Sequence, residues 1–358
     1  MNIINIKDKN LFYIGGVVRD EILGRKSFDI DITYVGNAIE FCSKFGDVIQ
    51  ENPDFGTVRV NVDGQEVDFA STRSESYPHK GHLPVVDKIG CSLKEDVLRR
   101  DFTINALAKN TLTGEIIDYT GGLDDLKNKK LRVLHNGSFI DDPTRIIRGL
   151  KFSVRFGFEL DEHTRKLQDE YLSAVNYDMS YKRVKKELVE TFNLNSQLAF
   201  EKFINEGIYK LLGDKADVSD VNIQRLVSDY GAEIPWIIYA GVFDLSRLPL
   251  TKIEQKILDD VPQTILKTDF ELYKVFENAR IETVLLYALK DEAGARHYLD
   301  DLRKIKISVT GKDLQALGIA PSPKYQEIFD MLLREKLSNP EMSKEDEIAH
   351  LKFFENTL

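Results

Sequence analysis

The feature that most constrains the fold is a glycine pair that lies between two segments with the character of β-strands. Phe12–Asp20 has the sequence Phe-Tyr-Ile-Gly-Gly-Val-Val-Arg-Asp, and Phe28–Thr33 has the sequence Phe-Asp-Ile-Asp-Ile-Thr. Because alternate side chains of a strand lie on opposite faces, the apolar residues of the second segment face a core while Asp29 and Asp31 project together from the other face. The pattern predicts a sheet that places two carboxylates beside a glycine turn.

These residue types predict a site for a metal ion and a phosphate chain. Two ionised carboxylates that lie close together repel each other unless a cation lies between them, and oxygen ligands suit Mg²⁺ bound jointly with substrate phosphates. Gly15 and Gly16 allow the backbone to approach a phosphate, and Arg19 offers it a planar set of donors. We therefore expect Asp29 and Asp31 to hold Mg²⁺. The alternative is an edge strand with a polar outer face.

The composition limits the class of protein. With 358 residues the chain is long enough for two or more subdomains. Its formal net charge of -10 argues against a generally basic nucleic-acid binder. A local basic track can still bind RNA, because phosphate contacts depend on the local field.

The sequence gives no indication of a membrane helix, a secretory signal or a disulfide framework. No apolar run approaches the roughly 18 residues that a membrane helix requires, and the first residues do not have the pattern of a secretory signal. Cys42 and Cys91 are too few for a disulfide framework or a zinc site. We expect a cytoplasmic protein with no membrane association.

The hydrophobic spacing predicts an α+β fold in which a mixed head precedes a helical remainder. Up to about residue 135, short strand-like runs alternate with helical ones, and from Asp141 onward the spacing is helical. The expected strands are Leu11–Ile14, Phe28–Tyr34, Gly56–Val62, Gln65–Ala70 and Glu115–Tyr119. The expected helices of the head are Val17–Leu23, Ala38–Phe45 and Lys94–Ala108. Ser71–Gly90 has neither period, so we expect a mobile loop there.

Two further segments of the head carry candidate site residues. In the alternating run Gln65–Ala70, Asp68 faces outward, and a neighbouring strand would bring it to the same metal site; a solvated strand carboxylate is an equal alternative. Arg99 and Arg100 are followed by Asp101. On a helix the two arginines point about 100° apart, so one of them would face a substrate. The cluster is either a surface salt bridge or a clamp for a ribose or a triphosphate.

The segment Asp141–Phe152 predicts a helix with one polar face. Pro143 suits the first turn of a helix. At helical spacing, the apolar residues of the segment turn toward a core. The opposite face carries a ladder of charged residues, namely Asp142, Arg145, Arg148 and Lys151.

The first two residues of this ladder have a chemical meaning for base selection. An aspartate only accepts hydrogen bonds and an arginine only donates them. Cytosine and adenine present an amino donor beside a ring-nitrogen acceptor, whereas uracil and guanine present the opposite order. Asp142 and Arg145 held side by side would therefore accept C and A, and a mismatch would cost on the order of 1 to 3 kcal/mol per unsatisfied group. The alternative is an intrahelical salt bridge.

Together these segments resemble the class II tRNA nucleotidyltransferase and bacterial poly(A) polymerase family. Gly15–Asp20 with Asp29–Asp31 looks like the first motif of that family, and Arg99–Ala106 looks like the second. Asp118–Asp124 is similar to the third, and Asp141–Arg148 to the nucleotide-selecting motif. The match runs through about the first 190 residues. Farther on, the family's C-terminal signature resembles Gly311–Gly318 followed by Pro321–Pro323.

The resemblance implies a fold and a division into domains. It implies a polymerase-beta-like nucleotidyltransferase head at residues 1–138, with a mixed sheet flanked by helices and the catalytic site. A helical neck with the nucleotide-selecting motif would follow at residues 139–195. A helical body and tail at residues 196–358 would bind RNA.

The resemblance also implies site residues and partners. Asp29 and Asp31 would hold the Mg²⁺ ions that activate the 3′-hydroxyl of an RNA. Asp68 is added as a third catalytic candidate from its place in the alternating run, not from the resemblance. The implied partners are CTP, ATP and the 3′ end and elbow of tRNA, with no obligate protein partner. The residues that would bind the nucleotide are Gly15, Gly16, Arg19, Arg100, Asp101, Asn105, Asp142, Arg145, Arg148 and Lys151.

Three departures from the family pattern concern the nucleotide preference. Asp141 stands where the family usually carries Glu, Lys151 stands where many relatives carry Arg, and Tyr181–Arg183 replaces a usual Glu-Arg. None of them touches the metal site.

The leading hypothesis is a template-independent enzyme that builds or repairs the 3′-terminal CCA of tRNA. The segment Thr72–Tyr77 resembles one that CC-only relatives lack, which favours the addition of A. An enzyme that adds only the final A, a poly(A) polymerase, and a non-catalytic RNA-binding protein remain as alternatives. The chain lacks the glycine motifs of P-loop and Rossmann nucleotide enzymes.

Overall fold

The computed structural model describes residues 6–27, 30–62, 64–214, 216 and 220–355. The chain forms two compact units. The first comprises Met1–Lys215 with Ser246–Pro249, and the second comprises Ala216–Leu245 with Leu250–Leu358. The predicted boundaries at residues 138 and 195 both fall inside the first unit and stay predictions.

The head of the first unit is built on a mixed sheet. In the described part of the chain this sheet has seven strands in the order β3-β4-β5-β2-β1-β8-β9. β2 and β5 run parallel, and the other neighbours are antiparallel. The strands are β1 (Leu11–Ile14), β2 (Asp31–Tyr34), β3 (Asp47–Asn52), β4 (Thr57–Val62), β5 (Gln65–Ser71), β8 (Leu107–Asn110) and β9 (Ile116–Asp118).

Helices and short ladders complete the head. An antiparallel hairpin joins β6 (Arg73–Ser76) to β7 (Val85–Ile89). A short parallel ladder joins β10 (Lys130–Leu131) to β11 (Glu159–Leu160). The helices of the head are α1 (Gly16–Ile22), α2 (Ala38–Cys42), α3 (Leu93–Leu98) and α4 (Gly122–Lys127).

The prediction of one helix over Lys94–Ala108 is wrong. A capping box between Ser92 and Glu95 starts α3, but the helix ends at Leu98. After a 3₁₀ turn at Thr103–Asn105, the chain enters β8, which lies beside β1 in the sheet. A short apolar run fits a buried strand as well as a buried helix, so its spacing alone did not distinguish the two.

The loop predicted over Ser71–Gly90 is also wrong in part, because it contains the hairpin of β6 and β7. The strands of this hairpin are half-buried or exposed and carry polar residues, and their register shifts between Ser74 and Glu75. Such a strand pair has neither a continuous apolar run nor a clean alternation, so the sequence carried little signal for it.

In the described part of the first unit, the elements after the head are helices, apart from the short strand β11. α6 begins directly after Pro143, as the sequence predicts, and buries Ile146, Ile147 and Leu150. These helices are α5 (Ser138–Asp141), α6 (Thr144–Phe156), α7 (Glu162–Ser173), α8 (Tyr181–Phe192) and α9 (Gln197–Asn205).

The second unit is helical, which agrees with the predicted fold class. Its core includes the fully buried Trp236, Tyr239 and Tyr287, and the buried Glu282 carboxylate accepts the backbone N–H groups of Glu233 and Ile234. The helices are α10 (Ile223–Tyr230), α11 (Pro235–Ala240), α12 (Lys252–Asp259), α13 (Asp269–Phe276), α14 (Ile281–Ala288), α15 (Glu292–Asp300), α16 (Gly311–Ala316), α17 (Lys324–Ser338) and α18 (Lys344–Glu355). Among the residues that the structure describes, no helix has the length and apolarity that crossing a membrane demands.

Gly122 gives a test of the close packing behind the sheet. A Cβ atom on Gly122 would lie 2.3 Å from the backbone oxygen of Thr103, whereas a Cβ on Gly137 would meet its nearest atom at 3.5 Å. We expect Gly122→Ala to lower the free energy of unfolding by about 1 to 3 kcal/mol, because the backbone must move to admit a methyl group. Urea unfolding measures the change. Gly137→Ala is the matched control and should change it by less than about 0.5 kcal/mol; equal midpoints for both variants would contradict the prediction.

Candidate active site

A polar cavity of about 390 Å³ lies in the first unit, between the sheet and the helices that follow it. Glycines, arginines and carboxylates dominate its lining, so it has the chemistry to hold a charged ligand. Its lining residues are Gly15, Gly16, Arg19, Asp31, Arg73, Glu75, Tyr77, Pro84, Arg99, Arg100, Asp101, Asn105, Asp142, Arg145, Arg148, Phe152, Arg183 and Glu187.

The glycine pair forms the turn between β1 and α1. Gly15 has φ of 72°, and its N–H donates to the carbonyl of Leu107 at 3.0 Å. A Cβ at Gly15 would lie 3.0 Å from Nη1 of Arg100. The absence of a side chain therefore lets an arginine lie against the turn, and α1 starts at Gly16.

Arg19 is a buried cation in the first turn after the glycines. Its guanidinium donates to the side-chain oxygen of Asn105, pairs with Asp20 at 2.8 Å and lies 4.5 Å from the ring centre of Phe156. Burial lowers the pKa of Arg19, and Asp20 opposes this effect. Since an arginine pKa lies far above neutrality, the side chain presents a held positive charge to the cavity.

The acidic side of the site lies on two parallel strands. Asp31 on β2 is in register with Asp68 on β5, so both side chains leave the same face of the sheet. Both residues line a second cavity of about 430 Å³, and Asp31 and Arg100 line the two cavities together. Arg59 donates twice to the Asp68 carboxylate, at 2.7 and 2.9 Å. Asp29 lies outside the described residues.

This donor set fits a hard divalent cation. The two carboxylates on neighbouring strands offer oxygen atoms of the type that Mg²⁺ prefers, and arginines of the type that binds phosphate line the cavity with Asp31. Asp31 lines both cavities, whereas Asp68 lines only the second and pairs with Arg59.

Asp101 anchors the helix that carries the polar ladder. Arg148 donates to the buried Asp101 carboxylate from Nε and Nη2 at 2.8 and 2.6 Å, and Asn105 donates to its other oxygen at 3.0 Å. Burial disfavours the charged form of Asp101. Arg148 and Asn105 outweigh this effect and hold the pKa of the Asp101 carboxyl well below its ordinary value. In return, the Asp101 carboxylate raises the pKa of Arg148.

Asp142 and Arg145 lie side by side at the start of α6. The Nε of Arg145 is 3.9 Å from Oδ2 of Asp142, and both side chains are buried. One oxygen of Asp142 accepts from the backbone and hydroxyl of Thr144, and the other accepts from Arg183. At 3.9 Å the two groups form an i,i+3 ion pair without a direct hydrogen bond, so the salt-bridge alternative stays open beside base selection.

Arg145 has a fixed orientation that leaves it with donor capacity. Its Nη1 donates to the Ser138 hydroxyl at 2.7 Å, and its Nη2 donates to the Arg99 carbonyl at 3.0 Å and lies 3.4 Å from the Tyr77 hydroxyl. A guanidinium has five N–H donors, so Nε–H and one Nη1–H have no hydrogen-bond partner among the described residues. These groups lie beside Asp142 and can donate to a ligand.

The predicted ladder divides into two parts. Asp142, Arg145 and Arg148 line the cavity, as expected, but Lys151 does not. Its buried ammonium group lies between Glu187 and Glu190 of α8. Arg145, Arg148 and Lys151 lie on α6, whereas Asp142 precedes it in extended backbone. Lys151 meets the neighbouring helix α8 instead of the cavity.

Both adjacent arginines reach the cavity, contrary to the expectation that only one would. The helix ends before them, so their directions are not those of a regular helix. Arg99 pairs with Asp96 at 2.8 Å and with Glu75 at 3.1 Å, and Arg100 pairs with Asp96 at 3.3 Å. The buried Asp96 thus pairs with both guanidinium groups. The sequence analysis did not identify Asp96 as a site residue.

Several lining residues were not named as site residues from the sequence. Arg73, Glu75 and Tyr77 come from β6 and the residue after it, and Arg183 and Glu187 come from α8. The first three lie inside the quoted segment Thr72–Tyr77 and Arg183 ends the quoted segment Tyr181–Arg183, so the family resemblance was the available signal for these four. Burial raises the pKa of Tyr77, so its hydroxyl stays protonated at neutral pH.

Three comparisons with known proteins agree on the family and the fold. Residues 11–132 match a family described as the poly(A) polymerase head domain. The chain is 31% identical to the A-adding tRNA nucleotidyltransferase of Aquifex aeolicus over 83% of its own length, although it spans only 41% of that longer relative. It is 28% identical to the CCA-adding enzyme of Bacillus pumilus, over 92% of this chain and 89% of the relative.

A solved structure of a CCA-adding enzyme in an apo form has the same fold. It superposes with a TM-score of 0.80 over 95% of this chain and 91% of that chain, at 24% sequence identity. The likeness extends over both units, so the predicted order of an α+β head and a helical remainder is confirmed.

The ion pair between Asp101 and Arg148 can be tested by measuring the free energy of unfolding as a function of pH. We expect Arg148→Met to lower the free energy of unfolding at pH 7 by about 2 kcal/mol, because it leaves a buried carboxylate without its main partner. The Asp101 pKa is depressed in the folded protein, so its contribution is complete above the ordinary value of about 3.9 and is lost as the pH falls below it. The gap between parent and variant should therefore be wide at pH 7 and narrow below about pH 4.

Urea unfolding at several pH values measures this gap. Arg155→Met on the same helix is the control, since the closest approach of Arg155 to an acid is 3.9 Å and its side chain is 40% exposed. A gap of constant size between pH 7 and pH 3.5 would contradict the assignment of the effect to Asp101.

Proposed function

We propose, from the premise that this chain belongs to the class II tRNA nucleotidyltransferase and bacterial poly(A) polymerase family, that it adds or repairs the 3′-terminal CCA of tRNA. The reaction takes CTP and ATP, needs no nucleic-acid template and releases pyrophosphate. The helical second unit would contribute to tRNA binding. Two free, buried cysteines, Cys42 and Cys91, suit a reducing cytoplasmic setting.

The observation that carries this proposal is the pair Asp142 and Arg145 in the same cavity as the glycine turn and Asp31. The carboxylate accepts and the guanidinium donates, and their spacing leaves room for a ligand edge that donates and accepts in the matching order. Cytosine and adenine have that order. The fixed partners of both side chains, Thr144 and Arg183 for Asp142 and Ser138 for Arg145, keep the pair from rotating to suit uracil or guanine.

The phosphates and the ribose would lie between the base pocket and the sheet. Gly16 and Arg19 would bind the triphosphate; a glycine backbone and a buried guanidinium at the start of α1 support this assignment. Arg100 lies against Gly15 and reaches the same space. Asp101 and Asn105 hold Arg148 and Arg19 in place, and we assign them to the positioning of the ribose.

Asp31, with Asp29 and Asp68, would hold Mg²⁺. When bound, Mg²⁺ supplies Lewis-acid activation of the 3′-hydroxyl and charge stabilisation of the leaving pyrophosphate. Asp31 supplies the ligand oxygens from a rigid strand, and the arginines of the cavity orient the α-phosphate for in-line attack by that hydroxyl. This assignment rests on the register of β2 and β5.

Addition of the final A alone is the second candidate. The Aquifex aeolicus relative carries that activity in its name, and its identity to this chain is slightly higher than that of the Bacillus pumilus CCA-adding relative. Both activities require the same head and the same nucleotide-selecting pair, so the choice between them depends on the RNA end that the enzyme accepts.

A panel of RNA substrates tests the activity. We expect the protein with Mg²⁺, CTP and ATP to extend tRNA that lacks CCA by three nucleotides and tRNA that lacks only A by one, as resolved on sequencing gels. Extension of the second substrate only would favour the A-adding candidate. Extension of an unstructured RNA alone would contradict both. Asp31→Ala should reduce every incorporation by at least about 10²-fold, because it removes a metal ligand.

The base-selecting pair has a separate test. We expect Arg145→Ala to reduce the preference for CTP over UTP by at least about fivefold, because a ring-nitrogen acceptor would lose its donor, which costs about 1 to 3 kcal/mol. Single-turnover incorporation of each nucleotide measures the preference. Arg165→Ala is the matched control, since Arg165 pairs with Glu206 at 2.6 Å and does not line the cavity. Undiminished rejection of UTP by Arg145→Ala would contradict the assignment.

A further inference from the structure

We propose a second metal site, for a transition-metal ion such as Zn²⁺, formed by His79, His82 and Asp178. It is separate from the proposed Mg²⁺ carboxylates and independent of the proposed activity. The three residues offer two imidazole nitrogens and a carboxylate oxygen, and their ligand atoms all lie within 4.8 Å of one another. None of the three lines the nucleotide cavity.

The arrangement of the three side chains suits a shared cation. Nε2 of His79 lies 3.2 Å from one oxygen of Asp178, and Nε2 of His82 lies 3.1 Å from the other. The two imidazole rings are stacked, with centroids 4.0 Å apart and an angle of 17° between their planes. Both rings therefore aim the same nitrogen at the same carboxylate. Ligand atoms around a tetrahedral Zn²⁺ are separated by about 3.3 Å, since each lies about 2.0 Å from the ion.

The backbone already holds the two halves of this cluster together. Gly81, between the two histidines, accepts from the N–H of Ser180 at 3.0 Å and donates to the carbonyl of Asp141 at 3.0 Å. Gly81 has φ of 80°, and a Cβ there would lie 2.8 Å from the carbonyl oxygen of Asp178. A glycine is thus required for the close approach that brings the histidines to Asp178, and the ligands need little rearrangement to bind an ion.

A metal ion at this site would restrict the motion of the β6–β7 turn, which contributes to the lining of the nucleotide cavity. The turn that carries the histidines connects β6 to β7, and Tyr77 and Pro84 at its two ends line the cavity. The carbonyl of His82 accepts from Arg183, which also donates to Asp142. A metal ion on this turn would therefore connect it to Asp178, in the segment just before α8. Arg183 lies in the first turn of α8 and donates to Asp142, the proposed base-selecting carboxylate.

The ligand types select the class of metal. Imidazole nitrogens favour Zn²⁺, Cu²⁺ and Ni²⁺, whereas Mg²⁺ prefers oxygen ligands and keeps most of its waters. Three protein ligands at a half-exposed surface leave a fourth position for water. The competing explanation is an exposed ion-pair cluster of two histidines and an aspartate that binds no metal.

Metal titration of the full chain, prepared without a histidine tag, tests the proposal. We expect the parent to bind one equivalent of Zn²⁺ in competition with a chromophoric chelator, and one equivalent of Co²⁺ with the visible absorption of a tetrahedral site. His79→Ala, His82→Ala and Asp178→Asn should each weaken binding at least about tenfold. His163→Ala is the matched control, because His163 is exposed and its ring contacts only Asn136 among the described residues.

Hydrogen exchange provides the second measurement. Zn²⁺ should slow amide exchange in residues 77–84 of the parent at least about threefold and leave it unchanged in His82→Ala, whose fold circular dichroism verifies. Failure of the parent to bind Zn²⁺ at micromolar concentration would overturn the proposal. Equal binding by the parent and the three variants would overturn it as well. Neither result would bear on nucleotidyl transfer, which the RNA panel measures separately.

Discussion

The buried carboxylate of Asp101 is the interaction on which the site depends. A buried charge is stable only when it is paired and hydrogen-bonded, and Asp101 meets this condition through Arg148 of α6 and through Asn105. Asn105 in turn accepts from Arg19 of α1. One carboxylate thus contacts the helix that carries Arg145 and, through Asn105, the arginine beside the glycine turn.

The same principle extends around the cavity. Each of its arginines has at least one carboxylate or carbonyl partner in the described structure: Asp96 holds Arg99 and Arg100, and Glu187 holds Arg148. These pairs restrict the rotation of the arginine side chains before any ligand binds. Of the partner carboxylates, Asp96 does not line the cavity, whereas Asp101 and Glu187 line it beside the arginines. A preorganised polar site of this kind stabilises charge that develops during phosphoryl transfer without reorganising during the reaction.

The hairpin of β6 and β7 links the cavity to the surface of the molecule. It contributes Arg73, Glu75 and Tyr77 to the lining, and its turn carries His79 and His82. Arg73 donates to Glu75 and to the carbonyl of Phe55, so the base of the hairpin is held to the head by polar contacts. This explains why a segment with no apolar periodicity adopts regular structure: side-chain charge, instead of a buried apolar face, determines its position.

The sequence by itself determined the elements whose residues act through local geometry. The glycine turn, the alternation that exposes Asp31 and the α6 face with Arg145 follow from local sequence, which needs no knowledge of neighbours, whereas Asp142 lies in extended backbone between α5 and α6. Tertiary structure alone decided the partners. Lys151 faces Glu187 and not the cavity, and the run after Arg100 becomes the strand β8 because β1 lies beside it. The partner of a charged side chain or of a strand edge is supplied by a segment distant in sequence. The spacing of residues along the chain carries no information about which segment that is.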